Sequence, residues 1–424
     1  MRRVLVTLLV LCMLVPSGAL AGDLYAGDRV TMEMAVWNSV ETYEKLNVEL
    51  IAAFPEMADK LDIEVVIEGD GDAGVAEKMR LLLASGEPLP DMVRLNYTQY
   101  EEFRSADLLY DLSDAIAPYK EEIIPAVLEM MTGEDGGVYC MPQEVKPKIW
   151  YYRTDVFEKA GVNPEDVNTV DELIEAAKKV NEATGTFIEN YIPPFNAYDL
   201  VMLLSGNGGK FYDEKGDFTI ASDAGVRTAF ETLKKYYDSG AFSSIVEWSA
   251  DWQAGFISGA LSSQLIGAWM KQHLINWCPD QAGLWSCALW PEEIRSGSEA
   301  GMGIWVVFKG AANPELAADV LAKYSFDPNF RKTVYAMNGI IPPLESAKTD
   351  DFYATHAYFG TALRDVYFEA METLAAYPYT PTFSAEQKIV VNYLNEYVNG
   401  NMTLDDALNA SQSDLINQIG NVFE

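Results

Sequence analysis

In the first quarter of the chain, apolar positions switch between two periodicities. They alternate over residues 29–37, which predicts a strand, and they recur at helical spacing over residues 42–54. A second strand over 62–67, a helix over 76–84 and a third strand over 91–95 continue this order. Because strands and helices alternate, the sequence predicts a parallel sheet with right-handed helical crossovers.

Further along the chain, capping residues mark the starts of helices. Thr169 is followed three residues later by a glutamate, which is the pattern of a capping box. Apolar periodicity predicts a helix over 223–239, and Asn313 followed by proline predicts another that ends near Phe326. Thr403 predicts the start of the final helix, so the last part of the chain is expected to be mostly helical.

The stretch from Gly137 to Leu173 carries the clearest motif. It contains a Gly-x-Tyr-x-x-Pro run, a Tyr-Tyr-x-x-Asp-x-Phe-x-Lys-Ala-Gly run and a Thr-x-Asp-Glu-Leu run. These runs resemble the segment in which extracellular solute-binding proteins of ABC importers, above all the carbohydrate-binding families, first cross between two lobes. Arg153 stands where asparagine is usual in that segment. The matching residues are Gly137, Tyr139, Pro142, Tyr151, Tyr152, Asp155, Phe157, Lys159, Ala160, Gly161, Asp171, Glu172 and Leu173.

Weaker matches extend this resemblance over nearly all of the chain after residue 21. They lie at Leu83–Gly86 with Pro90–Val93, at Ala106–Leu112, at Phe256–Met270 and at Gly301–Phe308. The resemblance implies an α/β protein with the two-lobed type II fold of periplasmic binding proteins. Each lobe would be a mainly parallel sheet flanked by helices, with hinge crossovers between the lobes and a helical C-terminal segment.

The same resemblance implies five segments. Residues 1–21 would be a signal peptide, 22–144 the first part of lobe 1, and 145–297 the first part of lobe 2. Residues 298–345 would return to lobe 1, and 346–424 would form the helical C-terminal part of lobe 2. The implied function is that of an exported, monomeric receptor. It would capture an oligosaccharide or glycoside by hinge closure and deliver it to the permease of an ABC transporter.

Charge narrows the range of partners. The 424 residues carry a net charge of -34, with 49% hydrophobic and 12% aromatic residues. This composition is typical of a folded protein whose size favours more than one core. Because an acidic surface repels phosphate backbones and anionic lipids, nucleic acids and membrane surfaces are disfavoured as partners.

The N-terminus predicts export to the periplasm or the extracellular space. Arg2 and Arg3 precede an apolar run over residues 4–15, and Ala19-Leu-Ala21 has the small-x-small form that precedes signal-peptide cleavage. Cys12 raises the alternative of a lipoprotein anchor, although Leu11 is bulkier than the residue that usually precedes a lipidated cysteine.

Cysteine and histidine give no metal pattern, and no cofactor is expected. The mature chain would contain Cys140, Cys278 and Cys287, and the sequence leaves open whether the last two form a disulfide or all three are buried thiols. His273 and His356 are the only histidines, too few and too far apart for a zinc site.

Catalytic motifs are absent, and the protein is not expected to be an enzyme. Neither a Gly-x-Ser-x-Gly sequence nor a phosphate-binding Gly-x-x-x-x-Gly-Lys loop occurs. The alternatives are a secreted glycosidase or lyase with a carboxylate pair, and a receptor of the same fold for a polyamine or peptide. Asp70-Gly-Asp72 resembles a calcium loop faintly, but Leu81 occupies the twelfth position, where a carboxylate is needed, so we interpret it as an ordinary loop.

Aromatic and short polar side chains are the expected ligand contacts. Sugar rings stack on tryptophan and tyrosine, and carboxyl and amide groups bind their hydroxyls. Ligands of open α/β sheets lie beyond the carboxyl ends of strands, and the resembling family uses these loops. For Trp305, which lies in the predicted return strand, core packing is the stronger interpretation. The candidates are Trp37, Asn38, Glu41, Asn96, Tyr97, Trp150, Tyr198, Asp199, Trp248, Asp251, Trp269 and Trp305.

Overall fold

The computed structural model describes residues 24–69, 71–191, 193–359 and 363–423. The predicted signal peptide over residues 1–21, with Cys12, lies outside the described residues. The strands are β1 Val30–Val36, β2 Leu61–Ile67, β3 Met92–Asn96, β4 Met141–Arg153, β5 Ser263–Gly267, β6 Trp285–Ala288 and β7 Ser298–Val306.

Helices make up most of the remaining structure. They are α1 Val40–Ala53, α2 Pro55–Ala58, α3 Gly71–Ser85, α4 Tyr100–Ser105, α5 Ser113–Ile116, α6 Pro125–Met131, α7 Thr154–Ala160, α8 Val170–Thr184, α9 Ala197–Asn207, α10 Ala224–Ser239, α11 Ala250–Ser258, α12 Met270–Trp277, α13 Pro314–Phe326, α14 Pro328–Asn338, α15 Leu363–Met371, α16 Phe383–Val398 and α17 Leu404–Gln418. Within the described part of the chain, seven single-turn 3₁₀ helices lie at Tyr97–Gln99, Lys120–Glu122, Pro164–Asp166, Pro279–Gln281, Glu292–Ile294, Glu345–Lys348 and Asp351–Tyr353.

The caps predicted at Thr169 and Thr403 form, whereas the Asn313 side chain does not cap α13 and instead donates to Asp91 Oδ1 at 3.2 Å. The Thr169 hydroxyl accepts a hydrogen bond from the amide of Glu172, whose carboxylate accepts one from the Thr169 amide.

The side chains of Asp223 and Thr403 cap α10 and α17 by accepting hydrogen bonds from the amides of Val226 and Asp406. Gly161 follows α7 with a φ of 64°, a left-handed conformation that glycine adopts at little cost.

The sheet confirms the predicted parallel pairing of its first strands. The order is β2-β1-β3-β7-β4-β5, with β6 also paired to β4. β1 is parallel to β2 and to β3, as the strand–helix alternation predicts. The return strand β7 is antiparallel to both β3 and β4.

The long strand β4 joins two parts of the protein, called bodies below, each with its own cluster of buried apolar side chains. Its first half, from Met141 to Pro147, pairs with β7, whereas Lys148 to Arg153 pair with β5 and β6. Both of these later pairings are antiparallel, so the mainly parallel sheet expected in the second lobe is not observed around β4. This pairing is antiparallel because β4 runs from the first body into the second, and β5 and β6 run beside it in the opposite direction.

Buried apolar side chains form two clusters. The first is built mainly from residues 25–145 and 302–374, and the second mainly from residues 150–242 and 377–422. Alternate residues of β4 contribute to different clusters, with Tyr151 in the first and Trp150 in the second. This follows from the alternation of side chains across a strand. The two-lobed α/β class is as predicted, and the exact lobe boundaries stay predictions.

Several further features concern the sequence predictions. Cys140, Cys278 and Cys287 are buried, and no disulfide joins them. Among the described helices, none has both the length and the apolarity needed to cross a membrane. The described residues also contain no group of three or more histidine, cysteine, aspartate or glutamate side chains placed to hold a metal ion.

Candidate functional site

A cavity of about 400 Å³ lies between the two bodies. It opens beyond the carboxyl ends of β1 and β3, which are parallel and therefore end at the same edge of the sheet. The second body contributes the start of α9 and the loop before α11. Residues of β4, β7 and α12 also line the cavity, as do residues of α1, α3, β5 and α14. The cavity therefore receives side chains from both bodies and from the strands that connect them.

The wall formed by the first body combines an indole ring with a guanidinium group. Arg94 lies on β3 with its guanidinium carbon 3.7 Å from the ring centroid of Trp37, which suits a cation–π contact. Arg94 Nη1 donates to Asn38 Oδ1 at 2.9 Å, and Nη2 donates to Gln143 Oε1 at 3.3 Å. These contacts fix Trp37 and Asn38, which follow β1, at the edge of the cavity.

A polar network connects the two bodies across the cavity. Asn96, the last residue of β3, donates its side-chain amide to Asp72 Oδ2 at 2.6 Å and accepts from Lys146 Nζ at 2.8 Å. The hydroxyl of Tyr198, in the first turn of α9, donates to Asp72 Oδ2 at 3.1 Å. Because Asp72 belongs to the first body and Tyr198 to the second, this hydrogen bond joins them directly.

Tryptophans form another wall of the cavity. Trp248 lies before α11 with 62% of its surface exposed, and its ring stacks on Trp269 with centroids 5.2 Å apart. Trp269 follows β5, and its indole N–H donates to Glu299 Oε2 at 2.6 Å. His273 on α12 contacts both rings edge to face, at centroid distances of 5.5 and 5.3 Å. An exposed indole supported in this way presents a rigid apolar surface.

A buried polar cluster holds the loop that carries Trp248. Gln264 on β5 donates to Glu189, to Asn190 Oδ1 at 2.9 Å and to Glu247 Oε1 at 3.4 Å. Glu189 also accepts from the amide of Leu265 at 2.6 Å. Since Glu247 directly precedes Trp248, this cluster links the position of the indole to the buried strand β5.

The carboxyl groups of the cavity differ in their electrostatics. Burial opposes ionisation of Asp72, but hydrogen bonds from Asn96, Gln99 and Tyr198 and the charge of Lys146 together lower its pKa.

Three other carboxyl groups in the cavity are shifted in the opposite direction. Burial raises the pKa values of Asp199 and Glu247, and repulsion adds to both shifts. Burial also raises the pKa of Glu299, although Lys146 and the Trp269 indole oppose that shift. The cavity therefore holds one stabilised carboxylate and three carboxyls for which ionisation is costly.

The structure brings seven of the twelve predicted contact residues together at the cavity. They come from five separate parts of the chain, and the loops after β1 and β3 are where the sequence analysis expected ligand contacts. These seven are Trp37, Asn38, Asn96, Tyr198, Asp199, Trp248 and Trp269.

The remaining five predicted residues do not line this cavity. Trp150 and Trp305 are fully buried in the two cores, where Trp305 packs edge to face on Tyr43 and Tyr324. Packing of these large aromatic rings needs no ligand to explain it. Glu41 is exposed on α1.

Asp251 and Tyr97 are the other two residues outside the cavity. Asp251 is exposed in the first turn of α11. The Tyr97 ring is directed away from the cavity, and its hydroxyl donates to the Met130 carbonyl at 2.6 Å.

Several charged residues of the cavity were not identified from the sequence. Asp72 was interpreted as part of a loop, but α3 begins at Gly71, five residues before the predicted start. Glycines at 71 and 74 hid this first helical turn, in which a carboxylate is favoured by the helix dipole. Arg94 had a detectable signal, because it is a charged residue in a predicted strand of mostly apolar residues. Glu299 had no such signal, because it precedes the predicted return strand over 301–308, whereas β7 begins at Ser298.

Comparison with protein families identifies the chain. Residues 49–361 match the family model described as bacterial extracellular solute-binding protein. An arabinooligosaccharide-binding protein of Halalkalibacterium halodurans is 23% identical over 376 residues, covering 84% of this chain and 82% of that protein. A lactose-binding protein of Rhizobium radiobacter is 29% identical over 296 residues, covering 66% of this chain and 68% of that protein.

Solved structures show the same fold. The ABC-transporter-associated binding protein of B. animalis subsp. lactis, in complex with β-1,6-galactobiose, aligns with a TM-score of 0.75 and 22% identity. The alignment covers 92% of this chain and 97% of that one. The galacto-N-biose/lacto-N-biose I-binding protein of Bifidobacterium longum also gives 0.75, with 21% identity over 93% of this chain and 98% of that one. Together with the family match, these alignments establish that the chain belongs to the bacterial extracellular solute-binding proteins.

Proposed function

We propose that this protein is an exported receptor that captures a carbohydrate in the cavity between its lobes and delivers it to the permease of an ABC transporter. The observation that carries the proposal is the cavity itself, which both bodies line with aromatic rings and short polar side chains. Two relatives of the protein are described as arabinooligosaccharide-binding and lactose-binding proteins, which supports a carbohydrate as the ligand.

The chemistry of the cavity suits a sugar. Trp248 offers an exposed ring for the apolar face of a pyranose, and Trp269 supports it from behind. Asn38, Asn96 and Asp199 place amide and carboxyl oxygens where hydroxyl groups can donate to them. We propose these residues, together with Trp37 and Tyr198, as the ligand contacts.

Hinge closure is the proposed mechanism. The bodies are joined through β4, through β7 and through the segment between Leu374 and Tyr377, which connects the two hydrophobic clusters. A ligand that contacts both walls binds the closed form more tightly and therefore increases its population. Closure also excludes water, which strengthens the hydrogen bonds to the ligand.

Thermal-shift screening against a panel of neutral and charged oligosaccharides, followed by calorimetry and small-angle scattering, tests the proposal. We expect saturable binding of at least one sugar, with a smaller radius of gyration in its presence. Size-exclusion chromatography with light scattering should show a monomer with and without the sugar. Binding of a non-carbohydrate solute with no response to any sugar would contradict the proposed ligand class.

A carbohydrate-active enzyme is the alternative that the same ligand screen can test. The family and its matched relatives are solute-binding proteins. We therefore expect the bound oligosaccharide to be recovered intact after long incubation, as judged by mass spectrometry. Release of shorter products, abolished when Glu247 or Asp199 is changed to its amide, would instead support glycoside hydrolysis.

A further inference from the structure

His273 is a cavity residue to which the proposed function gives no part. It lies on α12, is half-buried and lines the cavity. Its imidazole forms no hydrogen bond with any of the described residues, and neither ring nitrogen is among the buried polar atoms that lack a partner. Both nitrogens are therefore accessible to solvent. A neutral imidazole in this position can donate one hydrogen bond and accept another.

Three indole rings hold this imidazole in place. It packs on Trp248 and Trp269 at interplanar angles of 80° and 89°, with centroid distances of 5.5 and 5.3 Å. Trp277, one helical turn later on α12, lies 4.7 Å away, centroid to centroid. Because these contacts fix the ring before a ligand arrives, a hydrogen bond from it costs little conformational entropy.

The position of the imidazole leaves the outer face of Trp248 open. The centroids of Trp248 and Trp269 are 5.2 Å apart and their planes are within 22° of parallel, so the two indoles and His273 form a nearly equilateral triangle. A ring on the outer face of Trp248 would lie much farther from Trp269 than from Trp248. The imidazole therefore lies beside the stack. Hydroxyl groups project from the edge of a sugar ring, so a sugar on that face directs them toward groups that flank the stack.

The surroundings of His273 favour its neutral form. Burial lowers the pKa of the imidazole below its ordinary 6.5, and the charge of Glu144 on β4 opposes this shift. At neutral pH the ring therefore keeps one donor and one acceptor. A sugar hydroxyl, which is also both donor and acceptor, can pair with either nitrogen.

We propose that His273 is a specificity-determining contact of this receptor, whose neutral imidazole forms a hydrogen bond with a hydroxyl group at the edge of the sugar ring that packs on Trp248. The inference rests on the proposed function and adds to it a residue that selects among sugars by the position of one hydroxyl. A sugar without that hydroxyl would cover the imidazole and leave it without a partner, which lowers affinity because an unpaired buried polar group is costly.

Calorimetry on His273 variants tests the contact. The probe is the tightest-binding of lactose, maltose, cellobiose and arabinobiose, or the best sugar of the wider screen if none of these binds. His273→Phe keeps a ring against the indoles but removes both nitrogens, and we expect it to weaken binding about 10-fold. His273→Gln supplies a donor and an acceptor again and should lose less than about 3-fold.

The other histidine of the chain offers a matched control. His356 lies outside the cavity, where its Nδ1 accepts from the Tyr358 amide at 3.2 Å. His356→Phe should therefore bind the probe as the wild type does. Circular dichroism should show that all three variants are folded. An affinity of His273→Phe within about 3-fold of the wild-type value would overturn the inference and leave the proposed function standing, because it would mean that the imidazole only packs against the indoles.

Monodeoxy derivatives of the probe sugar identify the hydroxyl. One of them should bind the wild-type protein about 10-fold more weakly than the probe does, and His273→Phe should bind the two within about 2-fold of each other, because that variant has already lost the hydrogen bond. If every deoxy sugar lost affinity equally for the wild type and for His273→Phe, the assignment would be wrong. If no sugar of the wider screen bound the wild-type protein, the proposed function itself would fail, and the inference with it.

Discussion

Removal of the Trp248 side chain should weaken ligand binding far more than it weakens the fold. The ring is 62% exposed at the cavity, and it packs on Trp269 through one face. In Trp248→Ala the apolar face of a bound sugar loses its stacking partner. The cores that hold the two bodies together keep their own contacts, because Trp248 belongs to neither hydrophobic cluster.

The expected loss of binding free energy in Trp248→Ala follows from the exposed area of the indole. A whole tryptophan side chain presents about 250 Å². With 62% of Trp248 exposed, roughly 155 Å² is open, and a sugar ring that covers one side would remove about half of it, ~80 Å². At about 25 cal/mol per Å², this area contributes about 2 kcal/mol, or about 30-fold in Kd.

Calorimetry on the wild-type protein and on Trp248→Ala, with the tightest sugar from the screen, measures this loss. Phe423→Ala is the matched control, because Phe423 is also 62% exposed but lies outside the cavity. We expect the control to bind as the wild type does. Circular dichroism and thermal unfolding should show that both variants are folded. A Kd for Trp248→Ala within about 3-fold of the wild-type value would refute the stacking role, since about 0.7 kcal/mol is too little for the area worked out above.

Three more predictions concern closure, pH and stability. Tyr198→Phe removes the hydroxyl that donates to Asp72, which should cost about 1 kcal/mol of interlobe attraction and enlarge the ligand-free radius of gyration in scattering; an unchanged profile would show that this bond does not bias closure. Burial raises the pKa of Glu247 above its ordinary value of 4.5, so folding favours the protonated carboxyl. The stability of the protein should therefore fall as the pH rises from 4.5 through the raised pKa. Glu247→Gln should remove on the order of 1 kcal/mol or more of that fall in thermal unfolding, and an identical pH profile in the variant would contradict this origin. Thr169→Ala should lower the free energy of unfolding in urea by about 1 kcal/mol without changing sugar affinity, and no loss of stability would show that the cap is dispensable.

Local sequence signals predicted the elements because their causes are local. The strands β1 to β3 lie within about one residue of their predicted bounds, since alternating burial is written directly into the residue pattern. The starts of α8, α10 and α17 follow from hydroxyl and carboxyl caps that accept hydrogen bonds from amides three residues away. The early start of α3 was not predicted, because glycines at 71 and 74 resemble a turn.

Pairing direction around β4 required the three-dimensional structure. A strand of 13 residues that serves both bodies pairs with different partners along its length. The residues of β4 indicate a strand but do not indicate which later strand returns beside it, because that depends on the path of more than 100 residues between β4 and β5.

The candidate site was likewise predicted only in part from the sequence. Position after a strand end predicted Trp37, Asn38 and Asn96 at the cavity, since the ends of parallel strands share an edge. For Trp305 the sequence already favoured core packing, because it lies within a predicted strand. Trp150 had no such signal, since aromatic residues serve cores and binding sites alike, and only its burial in the folded protein separated it from Trp248.

By itself, the sequence determined the class of protein, the order of its helices and strands, and the acidic, aromatic-rich composition from which a sugar site can be built. Each depends on residues close to one another in the chain or on totals over all residues. Only the tertiary structure decided that Asp72 and Tyr198 meet across the cleft and that Asp199, Glu247 and Glu299 line one cavity with the indoles of Trp248 and Trp269. Those contacts join residues far apart in the chain, and their energies depend on distances and burial that exist only when both bodies are folded.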